Sequence, residues 1–223
     1  MKIAIIGATG GTGKYAVERA LEQGHEVIAV ARRPEAVPSA ERLTVRQGDV
    51  LNASSLAAAV AGADAVISCI GPSSGAAPRG ILNTLTSNFS PGTVMSEGIP
   101  NIVEACRRAG VKRFVMQSGI GLSSGQELSA GNRLLLGVNR RVFSKAIRDK
   151  SAAEQVVRRS DLEWVIVRPA GLSHTASDPN YTAGPSARIA PFRPLPFADC
   201  ADCLIRAAAA EPAWVGQIVN VGK

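Results

Sequence analysis

Near the start of the chain, seven residues have a spacing that does chemistry: Gly7-Ala8-Thr9-Gly10-Gly11-Thr12-Gly13. A glycine-rich turn at the head of a helix holds phosphate, because free backbone N–H groups and the helix dipole both favour an anion there. Two phosphate chemistries compete for this turn. A triphosphate loop needs a glycine, four residues, then Gly-Lys followed by Ser or Thr. Counting back from Gly13-Lys14, the first glycine falls on Ala8, and the hydroxyl position after Lys14 is Tyr15. That reading fails at both ends. Gly7, Gly10 and Gly13 instead give G-x-x-G-x-x-G, the spacing of a dinucleotide loop. Gly7 takes the tight turn, Gly10 lets the backbone approach a pyrophosphate, and Gly13 lets the helix pack close to the strand. Gly11 belongs to the same expected cradle, and Thr9 and Thr12 add hydroxyls.

A second feature selects among dinucleotides. About twenty residues past the loop, NAD sites carry Asp or Glu for the ribose hydroxyls. This chain reads "VIAVARRPE", with Ala31 followed by Arg32 and Arg33. Guanidinium forks suit a phosphate on the adenosine ribose, so the expected cofactor is NADP(H) rather than NAD(H).

These residues need elements to hold them in place. Apolar runs and helical spacings alternate along the chain. Strands are expected at 2–6, 26–31, 43–46, 64–70, 112–117, 162–167 and 217–221. Helices are expected at 13–23, 54–60, 96–109, 141–159 and 199–210. That alternation predicts an α/β fold: a Rossmann-like, doubly wound parallel sheet in three α/β/α layers. Near-continuous apolar strands such as "IAIIG", "AVISCI" and "WVIVR" fit burial on both faces. The whole chain, 1–223, is expected to form a single NAD(P)-binding domain. Two loop-like segments, 71–92 and 173–196, follow strand ends and are the expected walls of a substrate site.

Bulk composition narrows the function. With 46% apolar residues, disorder is not expected. No apolar run is long enough to span a bilayer, and the first strand is too short and wrongly flanked for a signal peptide. A cytoplasmic protein with no membrane partner is expected. The net charge of +7 is spread over separate arginine pairs, which argues for a solvated basic surface and an anionic small ligand rather than nucleic acid. Oligomeric state is left open, because the small-residue helix at 96–109 suits either the sheet or a second subunit. Four cysteines in such a chain suggest reduced thiols. Cys200 and Cys203 form one Cys-x-x-Cys with no second pair, and there are only two histidines, so no metal site is expected. Helix packing is the default role for that pair.

The segments "GATGGTG", "QGDV", "AVISCIG", "VMQSG" and "VIVRPAGL" occur in this order. Together they resemble the atypical short-chain dehydrogenase/reductases of the NAD(P)H-binding, NmrA-like family. Within that group, "TVMSEGIPNIVEACRRAGVKRFV" (93–115) resembles the biliverdin-IXβ reductases, also called flavin reductases. The resemblance spans nearly the whole chain, strongest over 1–120 and 163–172. It implies that Asp49 and Val50 lie beside the adenine. It implies that Cys69, Ile70 and Gly71 run past the cofactor ribose and phosphates. Ser118 is implied near the nicotinamide, with Pro169, Ala170, Gly171 and Leu172 on its carboxamide side. Family members reduce flavins, linear tetrapyrroles or quinones with NADPH, and others sense NADP without turnover.

Classical members of the wider superfamily use Tyr-x-x-x-Lys as a proton donor and its partner. Here the only tyrosines are Tyr15 and Tyr181; four residues past Tyr181 stands Pro185, and four before Lys150 stands Ala146. Carbonyl–alcohol chemistry with a built-in tyrosine is therefore disfavoured. Hydride transfer to a flat, electron-poor acceptor demands less: orientation, an apolar wall and a nearby proton. Ser118 is the best hydroxyl candidate for a catalytic role, and Lys150 is placed with it as a group that holds a ribose hydroxyl. His174 stands where it can face substrate, His25 reads as a turn residue, and Arg79 is a possible anion contact. The expected activity is an NADPH-dependent reductase of flavin, quinone or linear tetrapyrrole. The rivals are an NADP(H)-sensing regulator and, less favoured, a sugar-nucleotide-type epimerase.

Overall fold

A computed structural model describes residues 1–71, 93–122, 144–190 and 193–223. Arg79, most of the 71–92 loop and the first three residues of the helix expected at 141–159 lie outside the described residues.

The chain starts with β1 (Lys2–Ile6), crosses through α1 (Gly11–Glu22) and returns as β2 (Glu26–Ala31). Then come β3 (Leu43–Gln47), α2 (Ala53–Val60), β4 (Ala65–Ser68), α3 (Val94–Ala109) and β5 (Arg113–Gln117). After α4 (Ser144–Arg159) follow β6 (Glu163–Pro169), the short strands β7 (Leu172–Ser173), β8 (Thr182–Gly184) and β9 (Leu195–Pro196), then α5 (Phe197–Ala209) and β10 (Gln217–Gly222). The main sheet runs β3-β2-β1-β4-β5-β6-β10-β8. Its first seven strands pair in parallel, and β8 adds to β10 antiparallel. The order reverses between β1 and β4, and that switch point opens a crevice at the carboxyl ends of the strands.

Alternate residues of each strand feed two cores. Ile3, Ile5, Val115 and Val167 join α1 and α5 on one face. Ala4, Ile6, Phe114, Met116 and Ile166 join α2, α3 and α4 on the other. Strands buried on both faces must be apolar throughout, which is why "KIAII" and "AVIS" show no polar alternation.

The doubly wound α/β architecture is the expected one, with local corrections. The sheet is not wholly parallel: the segment 173–196 carries β8, antiparallel to β10, and also β9, which pairs with β7 in a separate two-stranded sheet. β8 is three residues, Thr-Ala-Gly, with no apolar run to betray it; its register against β10, Val221 opposite Ala183, makes it a strand. β4 is four residues long, ending two short of the expected strand. Helix α1 starts at Gly11, α3 at Val94 and α5 at Phe197, each two residues ahead of expectation. Among the described residues, no helix is long and apolar enough to cross a membrane.

Candidate functional site

The site is built from the strand ends upward. Gly7 follows β1 at φ +83°, a left-handed conformation that costs a side chain dearly. Its N–H donates to Val30 O (3.2 Å), and its carbonyl accepts from Gly10 N (2.9 Å), which closes the turn. A Cβ on Gly13 would lie 2.1 Å from Gly7 O, closer than any real side chain comes, so only glycine lets α1 rest on this turn. Gly10 is the residue preceding α1; it brings no side-chain cap, and the first turn has no acidic residue. The first N–H groups of the helix are left for another acceptor. Thr9, Gly10 and Gly11 are exposed at the crest, while Thr12 is buried (3%). This uncapped, glycine-rich cradle fits a diphosphate. Gly11 has a neighbour that sequence spacing does not reveal: a Cβ there would lie 2.8 Å from the Phe197 ring, against which His174 packs at 4.6 Å between centroids.

Beside the loop, Arg32 and Arg33 follow the end of β2, both exposed. Neither has an ion pair among the described residues, whereas eight other ion pairs do form. Past the end of β3, Asp49 accepts from Leu51 N (3.0 Å), and its own N–H donates to Ser55 Oγ (3.0 Å). Val50 is buried; its carbonyl accepts from Asn101 Nδ2 at 2.8 Å. Gly98 of α3 makes room for this strand end: a Cβ there would lie 2.9 Å from Val50 Cγ2 and 3.4 Å from Ile70 Cδ1. Cys69 N donates to Ile6 O (2.9 Å), and the Cys69 carbonyl packs against Gly7. Burial pushes the Cys69 thiol up to about 12, so it is not a thiolate at neutral pH.

Ile70 and Gly71 lead into a cleft of about 440 Å³. Ser118, Lys150, Pro169, Ala170, Gly171 and Leu172 line it as well. Eight residues singled out from the sequence thus share one cavity, assembled from the ends of β4, β5 and β6 and from α4. Ser118 is buried, and its Oγ has no hydrogen-bond partner among the described residues. Such an orphan hydroxyl points to a ligand group that would complete it. Lys150 Nζ stands 3.1 Å from where a Cβ on Gly119 would be, so it reaches the end of β5. Burial holds its pKa below the ordinary lysine value; the Glu154 and Asp149 carboxylates oppose that shift. Both carboxylates are engaged elsewhere. Glu154 takes a bidentate fork from Arg168 (3.0 and 2.6 Å), and Asp149 accepts from Met95 N (3.3 Å) and Ser96 N (2.8 Å). Gln117 and Gly119, which flank Ser118 in the segment VMQSG but carry no expected role, line the cleft too, as do Ile120, Leu122 and Ile147, which no sequence motif marks.

Other candidates fall outside this cavity. Tyr181 donates to Asp202 and accepts from Arg206 Nη1 (3.2 Å), and burial, then the Asp202 contact, raise its pKa. Cys200 and Cys203 are buried in α5, and burial holds Cys203 up at about 12. Among the described residues, no group of three or more His, Cys, Asp or Glu is arranged for a metal.

The sequence model of a family described as NAD(P)H-binding matches residues 7–211. An uncharacterized chloroplastic protein of Arabidopsis thaliana is 33% identical over 193 residues, covering 82% of this chain and 64% of that protein. A 3-beta-hydroxysteroid dehydrogenase of Mycolicibacterium neoaurum is 33% identical over 143 residues, 60% of this chain and 36% of the dehydrogenase. The chain thus spans less than two thirds of these relatives' length. Among solved structures, ChuY, an anaerobillin reductase from Escherichia coli O157:H7, superposes with a TM-score of 0.75 at 24% identity, covering 100% of this chain and 97% of ChuY. A short-chain dehydrogenase/reductase from Veillonella parvula in complex with NADP does so at 0.75 and 20%, covering 100% and 94%.

Proposed function

The chain belongs to the NAD(P)H-binding family, and from that premise we propose that it is an NADPH-dependent reductase of flat, conjugated acceptors. One observation carries the reading: Arg32 and Arg33, which have no ion pair among the described residues, the uncapped glycine cradle, and the orphan-lined cleft follow one another in that order along the carboxyl ends of β2, β1 and β4–β6. An extended dinucleotide spans such a crevice, its phosphorylated adenosine at one end, its pyrophosphate in the middle and its reactive ring at the other end. In this reading the loop from Gly7 to Gly13 holds the pyrophosphate, and Arg32 and Arg33 hold the ribose phosphate that distinguishes NADPH. Asp49 and Val50 flank the adenine. Cys69, Ile70 and Gly71 run along the sugar and phosphates, and Pro169, Ala170, Gly171 and Leu172 back the carboxamide. When bound, NADPH supplies a hydride from its nicotinamide ring.

The chain's own groups do the rest. The apolar walls exclude water and orient the acceptor. Ser118 Oγ relays a proton from water to the reduced acceptor, taking one proton as it gives one, and Lys150 Nζ, close by, holds a ribose hydroxyl. A flat acceptor is favoured because no tyrosine is among the described residues lining the cleft, and Tyr181 is committed to Asp202 and Arg206. That leaves no phenolic acid for carbonyl–alcohol chemistry, although the relatives include hydroxysteroid dehydrogenases. ChuY, of the same fold, is a reductase. The cleft volume lies within the range of small-molecule sites.

The test is steady-state NADPH oxidation with riboflavin, FMN, biliverdin and small quinones. Turnover with at least one is expected. Tight NADPH binding with no oxidation across the panel overturns the reading and leaves a cofactor sensor.

A further inference from the structure

Gln117 has no task in the reading above. It is the last residue of β5, it precedes Ser118, and it opens onto the cleft. Its Oε1 is buried, and among the described residues its carboxamide makes no hydrogen bond. Buried amide oxygens are rarely left unmet, and one at the rim of a ligand site calls for a ligand donor.

We propose that Gln117 selects the acceptor, its carboxamide pairing edge to edge with a lactam or imide of a flat heterocycle. This rests on the reductase reading. A carboxamide offers an acceptor and a donor side by side. A ring edge with N–H next to C=O satisfies both. The imide edge of a flavin has that pattern, and so do the terminal lactams of a linear tetrapyrrole. A quinone offers carbonyl acceptors alone. The last torsion of a glutamine side chain is soft, so its oxygen and nitrogen exchange places and the pairing holds in either orientation.

The neighbours strengthen the assignment. Ser118 Oγ is also without a partner among the described residues, and Lys150 Nζ stands against Gly119. Residues 117–119 and Lys150 therefore make a polar strip in a cleft whose other walls, Ile70, Ile120, Leu122, Ile147 and Leu172, are apolar. The strip suits a ring's polar edge and the walls suit its faces. A site built to hydrogen-bond a ligand N–H discriminates strongly against the analogue without it.

The experiment compares riboflavin with 3-methylriboflavin, in which a methyl group replaces the imide N–H, and runs biliverdin and a small quinone alongside. For the native protein, methylation is expected to lower kcat/KM by about tenfold or more, with the loss in KM and in flavin-fluorescence quenching measured with NADP+ present. Gln117→Leu is expected to lower riboflavin to the level of its methylated analogue, abolishing the discrimination. A Gln117→Leu loss confined to biliverdin assigns the lactam of a tetrapyrrole instead of the flavin imide. Equal use of both flavins, together with a Gln117→Leu loss no greater for riboflavin and biliverdin than for the quinone, overturns the proposal. So does a loss traced to weaker NADPH binding, because Gln117 would then serve the cofactor. If nothing turns over but quenching still distinguishes the two flavins, the reductase reading fails and the recognition by Gln117 stands. The native comparison needs no variant, so a misfolded Gln117→Leu protein leaves the test intact.

Discussion

The proposed preference for NADPH rests on two side chains. Arg32 and Arg33 project from the end of β2 with no carboxylate paired to them among the described residues. A charge-assisted fork to a phosphate contributes about 1.5–3 kcal/mol, or roughly tenfold or more in affinity. Arg32→Ala and Arg33→Ala should each lower the ratio of NADPH to NADH affinity by about that factor, and the double variant should bring it near one. Fluorescence titration with both cofactors measures the ratio, and an unchanged ratio would make the pair ordinary solvated surface. Both arginines were legible in the sequence because the signal is local: a strand, a count of residues, a charge. The glycine triplet was legible for the same reason, and the contact of 2.1 Å that a Cβ on Gly13 would make gives its physical cause. Gln117 was not legible. Its type is common at strand ends, and what marks it, a buried oxygen with no partner, exists only once β5 and the cleft are assembled. The tilted packing of His174 against Phe197 beside Gly11 was hidden likewise, since residues 11, 174 and 197 meet only in the fold.

Helix α3 shows why element boundaries escaped the sequence. Local spacing put its start at Ser96, yet it begins at Val94. The reason sits on another element: buried Asp149 of α4 accepts from Met95 N and Ser96 N, capping α3 from outside its own segment. A carboxylate at a helix N-terminus satisfies orphan donors and complements the dipole. Asp149→Ala should therefore lower stability by about 1–2 kcal/mol, read as a lower midpoint in urea with an unchanged slope. No loss of stability would mean that water replaces the cap at no cost. The antiparallel strand β8 was hidden for a related reason, because three residues of Thr-Ala-Gly carry no periodicity and only β10 makes them a strand. The long parallel strands were readable because burial on both faces forces apolar runs.

The whole molecule turns this geometry into a candidate enzyme. Reversal of strand order between β1 and β4 opens one crevice, and cradle, arginine pair and cleft all sit along it. Two cores, one on each face of the sheet, hold that edge rigid, so the site sits on strand ends rather than on free loops. The sequence announced the architecture through its alternation of strands and helices. It did not announce the whole of the cleft's lining, because Ile120, Leu122 and Ile147 come together from beyond β5's end and from α4 without a motif. The claim that the crevice moves a hydride, rather than merely holding a dinucleotide, has a direct measurement. In a single turnover with the protein in excess over NADPH and a flavin or quinone acceptor present, the account predicts that nicotinamide absorbance is lost, and lost more slowly when C4 of the ring carries deuterium in the transferred position. Bound NADPH that stays unoxidised, or oxidation that deuterium at neither face of C4 slows, would contradict it.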